Sequence, residues 1–158
     1  MGTRWLDDRE EIAWRGWLDA HTLLSAALGR ELQRTSGLSL ADYEVLVNLT
    51  DAPERTLRMY ELGERMQWEK SRLSKQVSRM AARGLVARRE CADDRRGAFV
   101  DLTPAGAEAI EAAAPAHVEL VRELVFDHLT PEQVDALAAV TAVVQDRLAT
   151  MSSTASDA

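Results

Sequence analysis

The spacing of apolar residues changes at Gly84, and this change constrains the fold more than any other feature of the sequence. Upstream, apolar residues recur every three or four positions from about residue 8 to residue 83, which is typical of helices that pack on one face. Downstream, two short runs at 85–90 and 98–102 flank a charged connection that ends in Gly97, a pattern typical of a β-hairpin. The sequence therefore predicts a mainly α-helical chain that contains one small hairpin.

Helix-start and helix-stop signals divide the helical part into six segments. Gly37 has the position of a C-terminal cap, and Ser39 begins the Ser-x-x-acid pattern of a capping box. Pro104 and Pro131 each follow a threonine, which predicts proline at a first helical position. The predicted helices cover about 8–35, 39–50, 60–66, 69–83, 104–129 and 131–151. Two consecutive helices followed at once by a hairpin form a winged helix-turn-helix arrangement.

Length and composition narrow the class of protein. The chain has 158 residues, 46% of them apolar and 28% charged, which is typical of one soluble globular domain. The single cysteine, Cys91, excludes an internal disulfide framework and a cysteine-based zinc site. No apolar run approaches the roughly 18 residues of a membrane helix, and the acidic N-terminus lacks the apolar core of a signal peptide. We therefore expect a cytoplasmic protein.

Charge is distributed unevenly along the chain. Residues 58–100 contain eleven basic and six acidic residues, a net charge of +5, whereas the remainder carries −12 and the whole chain −7. A basic centre between acidic arms is typical of a nucleic-acid-binding module whose flanks have another role. A solvated charged face is the alternative that charge alone leaves open.

The segment 69–83 separates its basic and apolar residues onto different faces of a helix. At 100° per residue, the outward arc within roughly 60° of Arg72 contains Arg72, Lys75, Gln76, Arg79 and Arg83. An apolar arc roughly 110° away contains Leu73, Val77 and Met80. No acidic residue occurs between Lys70 and Arg89. We therefore expect the helix to dock through its apolar face and to contact DNA through its cationic face. An ordinary amphipathic surface helix is the alternative.

The connection between the two hairpin strands adds a second basic element. Arg95 and Arg96 follow Asp93 and Asp94 at the predicted hairpin tip. An arginine on a thin protrusion can enter a narrow minor groove, and a neighbouring aspartate can brace its guanidinium. A polar turn with local ion pairs is the alternative.

Several motifs resemble the MarR family of bacterial regulators. The stretches Leu62-Gly-Glu-Arg-Met66 and Trp68-Glu-Lys-Ser-Arg-Leu-Ser resemble its helix-turn-helix, and Asp94-Arg-Arg-Gly-x-x-Val-x-Leu-Thr-x-x-Gly106 resembles its wing. The resemblance implies a homodimeric, winged-helix DNA-binding protein. It also implies three regions, which are an N-terminal dimerisation helix (1–37), a DNA-binding lobe (38–103) and C-terminal dimerisation helices (104–151). The small, polar residues 152–158 are expected to form a disordered tail.

The resemblance assigns roles to individual residues. The positions that match the family's recognition helix are Ser71, Arg72, Ser74 and Lys75. Arg79 matches a position that contacts the DNA backbone. Arg96 matches a wing arginine that is braced by the position of Asp94. The expected DNA-binding residues are Lys70, Ser71, Arg72, Ser74, Lys75, Arg79, Asp94, Arg95 and Arg96.

The sequence departs from the family's pattern at three positions. Tyr60 stands where a small capping residue usually begins the short helix. Gly63 replaces the common alanine, at a helix-propensity cost of about 1 kcal/mol. Glu69 occupies the N-cap region of the recognition helix, where serine, threonine or aspartate is commoner.

The first helix carries a candidate effector site. Many members of the family release DNA when they bind small, often anionic aromatic or phenolic molecules. Trp14, Trp17 and His21 share one helix face, with Arg15 beside it. Aromatic walls with one cation suit an aromatic carboxylate, whereas core packing or a dimer interface is the alternative for the tryptophans.

Other functional classes have weaker support. Cys91 is a candidate redox trigger, but no second thiol is present to resolve an oxidised form, and a small apolar filler is the alternative role. The three histidines lack metal-ligand spacing, and no phosphate loop or nucleophile motif occurs. We therefore expect a repressor with no enzymatic activity, metal or cofactor. A helical protein-interaction module with a basic face is the competing class.

Overall fold

The structure is a computed structural model that describes residues 2–90 and 97–156, with side chains described as far as Met151. The helices in these ranges are α1 (Asp8–Ser36), α2 (Leu40–Thr50), α3 (Met59–Met66), α4 (Lys70–Ala82), α5 (Pro104–Leu124) and α6 (Pro131–Ser156). The strands are β1 (Thr56–Arg58), β2 (Val86–Glu90) and β3 (Ala98–Leu102). The predicted class, mainly α-helical with a small β element, is confirmed.

Local hydrogen bonds explain where the first two helices begin and end. The Asp7 side chain accepts two backbone hydrogen bonds from the first turn of α1. Gly37 ends α1 with φ 68°, a left-handed conformation that glycine adopts without steric cost. Ser39 and Asp42 form the predicted capping box of α2, because each backbone N–H donates to the other side chain, at 2.9 and 3.0 Å.

The three strands form one antiparallel sheet in the order β1-β3-β2. Strands β2 and β3 pair with Val86 opposite Leu102, which confirms the predicted hairpin. Strand β1, with Leu57 opposite Val100, was not predicted. Three residues are too short to show a period of two, and the strand forms because β3 offers a second edge of backbone hydrogen-bonding groups.

The core lies where α1, α2, α3, α4, α5 and the sheet meet. The largest fully buried side chains are Leu32, Leu38, Leu46, Leu49, Leu62, Leu73, Met80, Val45, Val77 and Val100. Leu32 of α1 and Ile110 and Ala113 of α5 belong to the same cluster. The end of α1 and the start of α5 therefore help to support the winged lobe, and the division at residues 37 and 103 stays a prediction about function.

Two helix ends differ from the predicted positions. Helix α5 ends at Leu124 rather than near residue 129, because Val125 leaves the helical conformation before a single 3₁₀ turn. Helix α6 continues to Ser156, past its predicted end near residue 151 and into the segment expected to be a disordered tail. No proline or glycine interrupts this stretch, and each further residue adds one backbone hydrogen bond to an existing helix.

The chain divides into two compact units, Met1–Val118 and Glu119–Ala158. The first contains the sheet and the core. The second contains α6, where Val140, Val143 and Val144 are exposed. Among the described residues, no helix is both long enough and apolar enough to cross a membrane.

Candidate nucleic-acid interface

Helix α4 has the two faces that its sequence predicts. Leu73, Val77 and Met80 are at most 1% exposed and pack into the core. The exposed side chains of the predicted DNA-binding set are Lys70, Ser71, Arg72, Lys75 and Arg79, and Ser74 is half-buried beside them. The core contacts of one face therefore direct a polar and cationic face away from the protein.

The start of α4 is suited to an anion. Gln67 has φ 52°, and this left-handed residue turns the chain sharply between α3 and α4. Glu69 occupies the N-cap, and its side chain makes no capping hydrogen bond to the helix. The first backbone N–H groups of α4, at the positive end of the helix dipole, are therefore not capped by the Glu69 side chain.

Arg72 is held by an aromatic ring. Its guanidinium carbon lies 3.9 Å from the centre of a ring of Trp68, a cation–π contact. The planar stack restricts the side chain while its N–H edges can still donate to acceptors. Trp68 lies in the turn between α3 and α4, so the contact depends on the conformation of that turn and does not follow from helical spacing.

Two members of the predicted outward arc instead bind to the interior. The Gln76 side chain is buried, its amide nitrogen donates to Asp42 Oδ1 at 2.6 Å, and its Oε1 accepts from Arg79 Nη2 at 2.6 Å. Arg83 donates to Asp42 Oδ2 at 2.7 Å and to the Gly37 carbonyl at 3.0 Å. The prediction that Gln76 faces outward was therefore wrong, because a buried carboxylate from α2 lies beside it. Arg83 is half-exposed but paired.

The Asp42 carboxylate is stabilised in its ionised form. Burial raises the pKa of Asp42, but hydrogen bonds from Ser39 and Arg83, together with the charge of Arg83, outweigh this effect, so the pKa lies below its usual value. The ionised carboxylate can only accept hydrogen bonds. The sequence indicates Asp42 only as part of a helix cap, because the partners in its second role lie 34 and 41 residues away.

Strand β2 presents further cations beside α4. Arg89 forms a two-pronged hydrogen bond with Asp101 of β3, at 2.6 and 2.8 Å, which lowers the pKa of Asp101. Arg58 and Arg89 also approach the Phe99 ring, at 4.9 and 5.1 Å from its centre. The exposed Arg88 lines a cleft of about 490 Å³ with residues from α3, α4 and the start of β3. Arg88 of the sheet and Lys70 of α4 therefore line the same cleft, together with Glu64 and Glu69.

The tip of the hairpin lies outside the described residues. This gap contains Cys91, Asp93, Asp94, Arg95 and Arg96. The expected minor-groove contact, the brace by Asp94 and the redox role of Cys91 stay predictions.

Comparisons with known proteins assign the family. The model described as the MarR family matches residues 36–97. Sco3205, a MarR family transcriptional regulator from Streptomyces coelicolor whose crystal structure is in complex with DNA, is 42% identical; the match covers 92% of each chain with a TM-score of 0.86. The chain belongs to the MarR family. It is therefore a winged helix-turn-helix transcriptional regulator and not an enzyme.

Two further relatives are consistent with this assignment. AbsC, a MarR family transcriptional regulator from Streptomyces coelicolor, is 41% identical over 92% of this chain and 98% of its own, with a TM-score of 0.85. The HTH-type transcriptional repressor YetL from Bacillus subtilis (strain 168) is 28% identical over 99 residues, which are 63% of this chain and 59% of YetL.

The expected effector residues of this MarR-family protein lie on α1. Trp14, Trp17 and His21 are exposed in the single chain, and Arg15 pairs with Glu11 one helical turn away at 2.6 Å. None of the four lines the cleft beside α4. The structure therefore places them on one exposed helix, apart from that cleft, and their role stays a prediction.

Glu44 of α2 connects the first helix electrostatically with the recognition helix. Burial raises the pKa of Glu44, while the charges of Arg72 and His21 oppose this effect. His21 of α1 and Arg72 of α4 are therefore both close enough to act on the same carboxylate.

Proposed function

We propose that this MarR-family regulator binds a pseudo-palindromic DNA operator as a homodimer in the cytoplasm and represses transcription until a small aromatic acid releases it. The observation that carries the DNA-binding part is helix α4, which has no acidic residue and turns its polar and cationic face away from the core. The relative Sco3205 was solved in complex with DNA, and YetL is a repressor.

The proposed contacts divide into two groups. The first group enters the major groove and consists of Lys70, Ser71, Arg72, Ser74 and Lys75. Arginine and lysine recognise guanine edges there, and serine contacts phosphates or bases. Arg79 contacts the DNA backbone. At the wing, Arg95 and Arg96 approach the minor groove, with Asp94 bracing Arg96. In a dimer, the two recognition helices would contact half-sites about one helical turn apart.

Fluorescence anisotropy tests DNA binding, with a labelled duplex selected in vitro by the wild-type protein from a random-sequence library. Affinity is expected to fall steeply with salt, because each neutralised phosphate releases counterions. Arg72→Ala should weaken binding about 10-fold and reduce the preference over a scrambled duplex. Arg9→Ala removes an exposed cation from α1 and is the matched control. Salt-independent binding, or equal losses in the two variants, would contradict the proposal.

The homodimer is supported by apolar side chains on the outer helices. Ile12 and Leu23 of α1 and Val143 of α6 are 73%, 70% and 65% exposed in the single chain, far more than an apolar side chain is when it packs in a core. A second copy would cover these faces, as in the large apolar interfaces of obligate homodimers. Leu18 of α1 and Leu137 of α6 are exposed as well.

Light scattering after size exclusion tests the dimer. Val143→Asp would bury an unpaired charge in the interface and is expected to dissociate or unfold the protein. Gln145→Glu adds a negative charge two residues along the same helix and is the control. A dimer that persists in Val143→Asp at micromolar concentration would exclude α6 from the interface, and a monomeric wild type would refute the homodimer.

The proposed effector is an aromatic carboxylate held by Arg15, with Trp14, Trp17 and His21 as its walls. An anion there lies near His21, and the shared carboxylate of Glu44 links His21 with Arg72. The ligand would release DNA through its different affinities for the two dimer forms. Calorimetry with benzoate-like and phenol-like acids, on wild type and Arg15→Ala, tests this site. Binding that is equal in both proteins would remove Arg15 from it, and no binding across the panel would refute this class of effector.

A further inference from the structure

The buried carboxylate of Asp42 joins three parts of the chain. It accepts hydrogen bonds from the Ser39 backbone at the start of α2, from the Gln76 amide in the middle of α4, and from the Arg83 guanidinium at the end of α4, at 2.9, 2.6 and 2.7 Å. The residue is only 3% exposed and the Gln76 side chain is buried as well, whereas the Arg83 side chain is 44% exposed. Such a network restricts its members strongly when every group is paired.

The charge of Asp42 determines the orientation of the Gln76 amide. An ionised carboxylate has no hydrogen to donate, so Gln76 must turn its NH₂ group towards Asp42. Its carbonyl oxygen then points the other way and accepts from Arg79 Nη2 at 2.6 Å. A neutral amide at position 42 would lose this constraint, because it could donate to Gln76 and reverse the side chain.

Arg83 fixes the other end of the same helix. While one guanidinium nitrogen donates to Asp42, the other donates to the carbonyl of Gly37, the residue that caps α1. Arg79 and Arg83 therefore have different tasks although they lie one turn apart on α4. Arg83 donates its hydrogen bonds to the α1–α2 junction. The exposed Arg79 donates one hydrogen bond within the protein, to Gln76, and can donate its other N–H groups outward.

We propose that Asp42 is a positioning residue for DNA recognition, which sets the rotation of α4 and orients Arg79 through Gln76, with Arg83 as an anchor rather than a phosphate ligand. This inference rests on the proposed DNA-binding function. Rotating a helix by 20° moves a side-chain tip about 6 Å from the axis by about 2 Å, which is enough to break a hydrogen bond. The network therefore controls the rotation of α4 about its own axis, to which base and phosphate contacts are most sensitive.

Whether Asp42→Asn weakens or tightens DNA binding distinguishes positioning from simple electrostatics. Removing a negative charge should by itself tighten binding to DNA, since DNA is a polyanion. Positioning predicts the opposite, a loss of about 10-fold on the selected duplex, which is the size expected for one charge-assisted hydrogen bond. Because Asp42 acts partly through Arg79, the same substitution should cost at most about 3-fold in an Arg79→Ala background.

The salt dependence distinguishes the two arginines. Arg79→Ala should reduce the slope of log affinity against log salt by about 1, because one phosphate contact is lost. Arg83→Ala should weaken binding without changing this slope. Ile110→Val is the control for a merely structural effect, because it trims the same core at an apolar residue of α5 that is not part of the hydrogen-bond network. It should lower stability and leave the affinity of the folded protein unchanged.

The experiment is anisotropy on the selected duplex, with folding of every variant checked by circular dichroism. Tighter binding by Asp42→Asn, an equal loss with and without Arg79, or a slope reduced by Arg83→Ala would overturn the inference. If Asp42→Asn does not fold, Gln76→Met leaves the Asp42–Arg83 pair in place and must show the same dependence on Arg79. A wild type that selects no duplex, or binds independently of salt, would refute the proposed function itself.

Discussion

Replacing Gly106 by alanine should destabilise the winged lobe because the backbone of another element lies where the new methyl group would be. Gly106 is buried in the first turn of α5. A Cβ at this position would lie 2.0 Å from the carbonyl oxygen of Leu85 and 2.9 Å from Leu102 Cδ1, whereas ordinary contacts begin at 3.4 Å. The same Leu85 oxygen accepts hydrogen bonds from the backbone and hydroxyl of Thr103, at 3.3 and 2.9 Å.

The expected loss follows from these contacts. The start of α5 and the Leu85 carbonyl must separate by more than 1 Å, which disrupts two hydrogen bonds worth about 1 kcal/mol each. Overpacking a well-packed site costs about 1–3 kcal/mol in addition. We therefore expect Gly106→Ala to lower the free energy of unfolding by about 3–5 kcal/mol and the Tm by roughly 10 °C.

Gly63→Ala is the matched control within the same lobe. The nearest atoms to its Cβ would be Leu73 Cδ2 and the Trp68 carbonyl oxygen, both at an ordinary 3.5 Å. Alanine also removes the helix-propensity cost of glycine inside α3, so the variant should be more stable than wild type by about 0.5–1 kcal/mol.

Urea unfolding followed by circular dichroism measures both changes. All proteins must be compared at one concentration, because the stability of a dimer depends on it. A Gly106→Ala variant within about 0.5 kcal/mol of wild type would show that α5 does not pack on Leu85 as described. Equal losses of unfolding free energy in Gly106→Ala and Gly63→Ala would mean that the space around the added Cβ does not control stability.

Three further changes concern ionisable groups. The lowered pKa of Asp42 stabilises the fold above the usual value of 3.8, so the stability lost in Asp42→Asn should shrink as pH falls from 6 towards 3 in urea titrations. Burial lowers the pKa of His117, so wild-type stability should decline as pH falls below 6.5, and His117→Phe, which keeps a ring against Tyr43, should reduce that decline. Asp101→Asn breaks a partly exposed pair with Arg89 and should cost about 0.5–1 kcal/mol, less at high salt in thermal melts.

Features that depend on nearby residues could be predicted from the sequence. The C-cap at Gly37 and the capping box of Ser39 and Asp42 involve groups no more than four positions apart, and both lie where the sequence predicts them. The apolar arc of α4 is likewise a property of helical periodicity. The extension of α6 to Ser156 lies beyond the predicted helix end, although it too depends only on nearby residues, because no helix breaker ends the helix earlier.

Only the tertiary structure decided which side chains of the cationic arc can face a ligand. Gln76 and Arg83 have the same helical positions as their exposed neighbours, yet they bind Asp42, which is 34 and 41 residues away in the sequence. Strand β1 and the constraint on Gly106 depend in the same way on a distant partner, β3 or Leu85. Periodicity predicts which face of a helix a side chain occupies. Whether that face is covered depends on groups from other elements, here the buried carboxylate of Asp42, because a buried charge without partners would destabilise the fold.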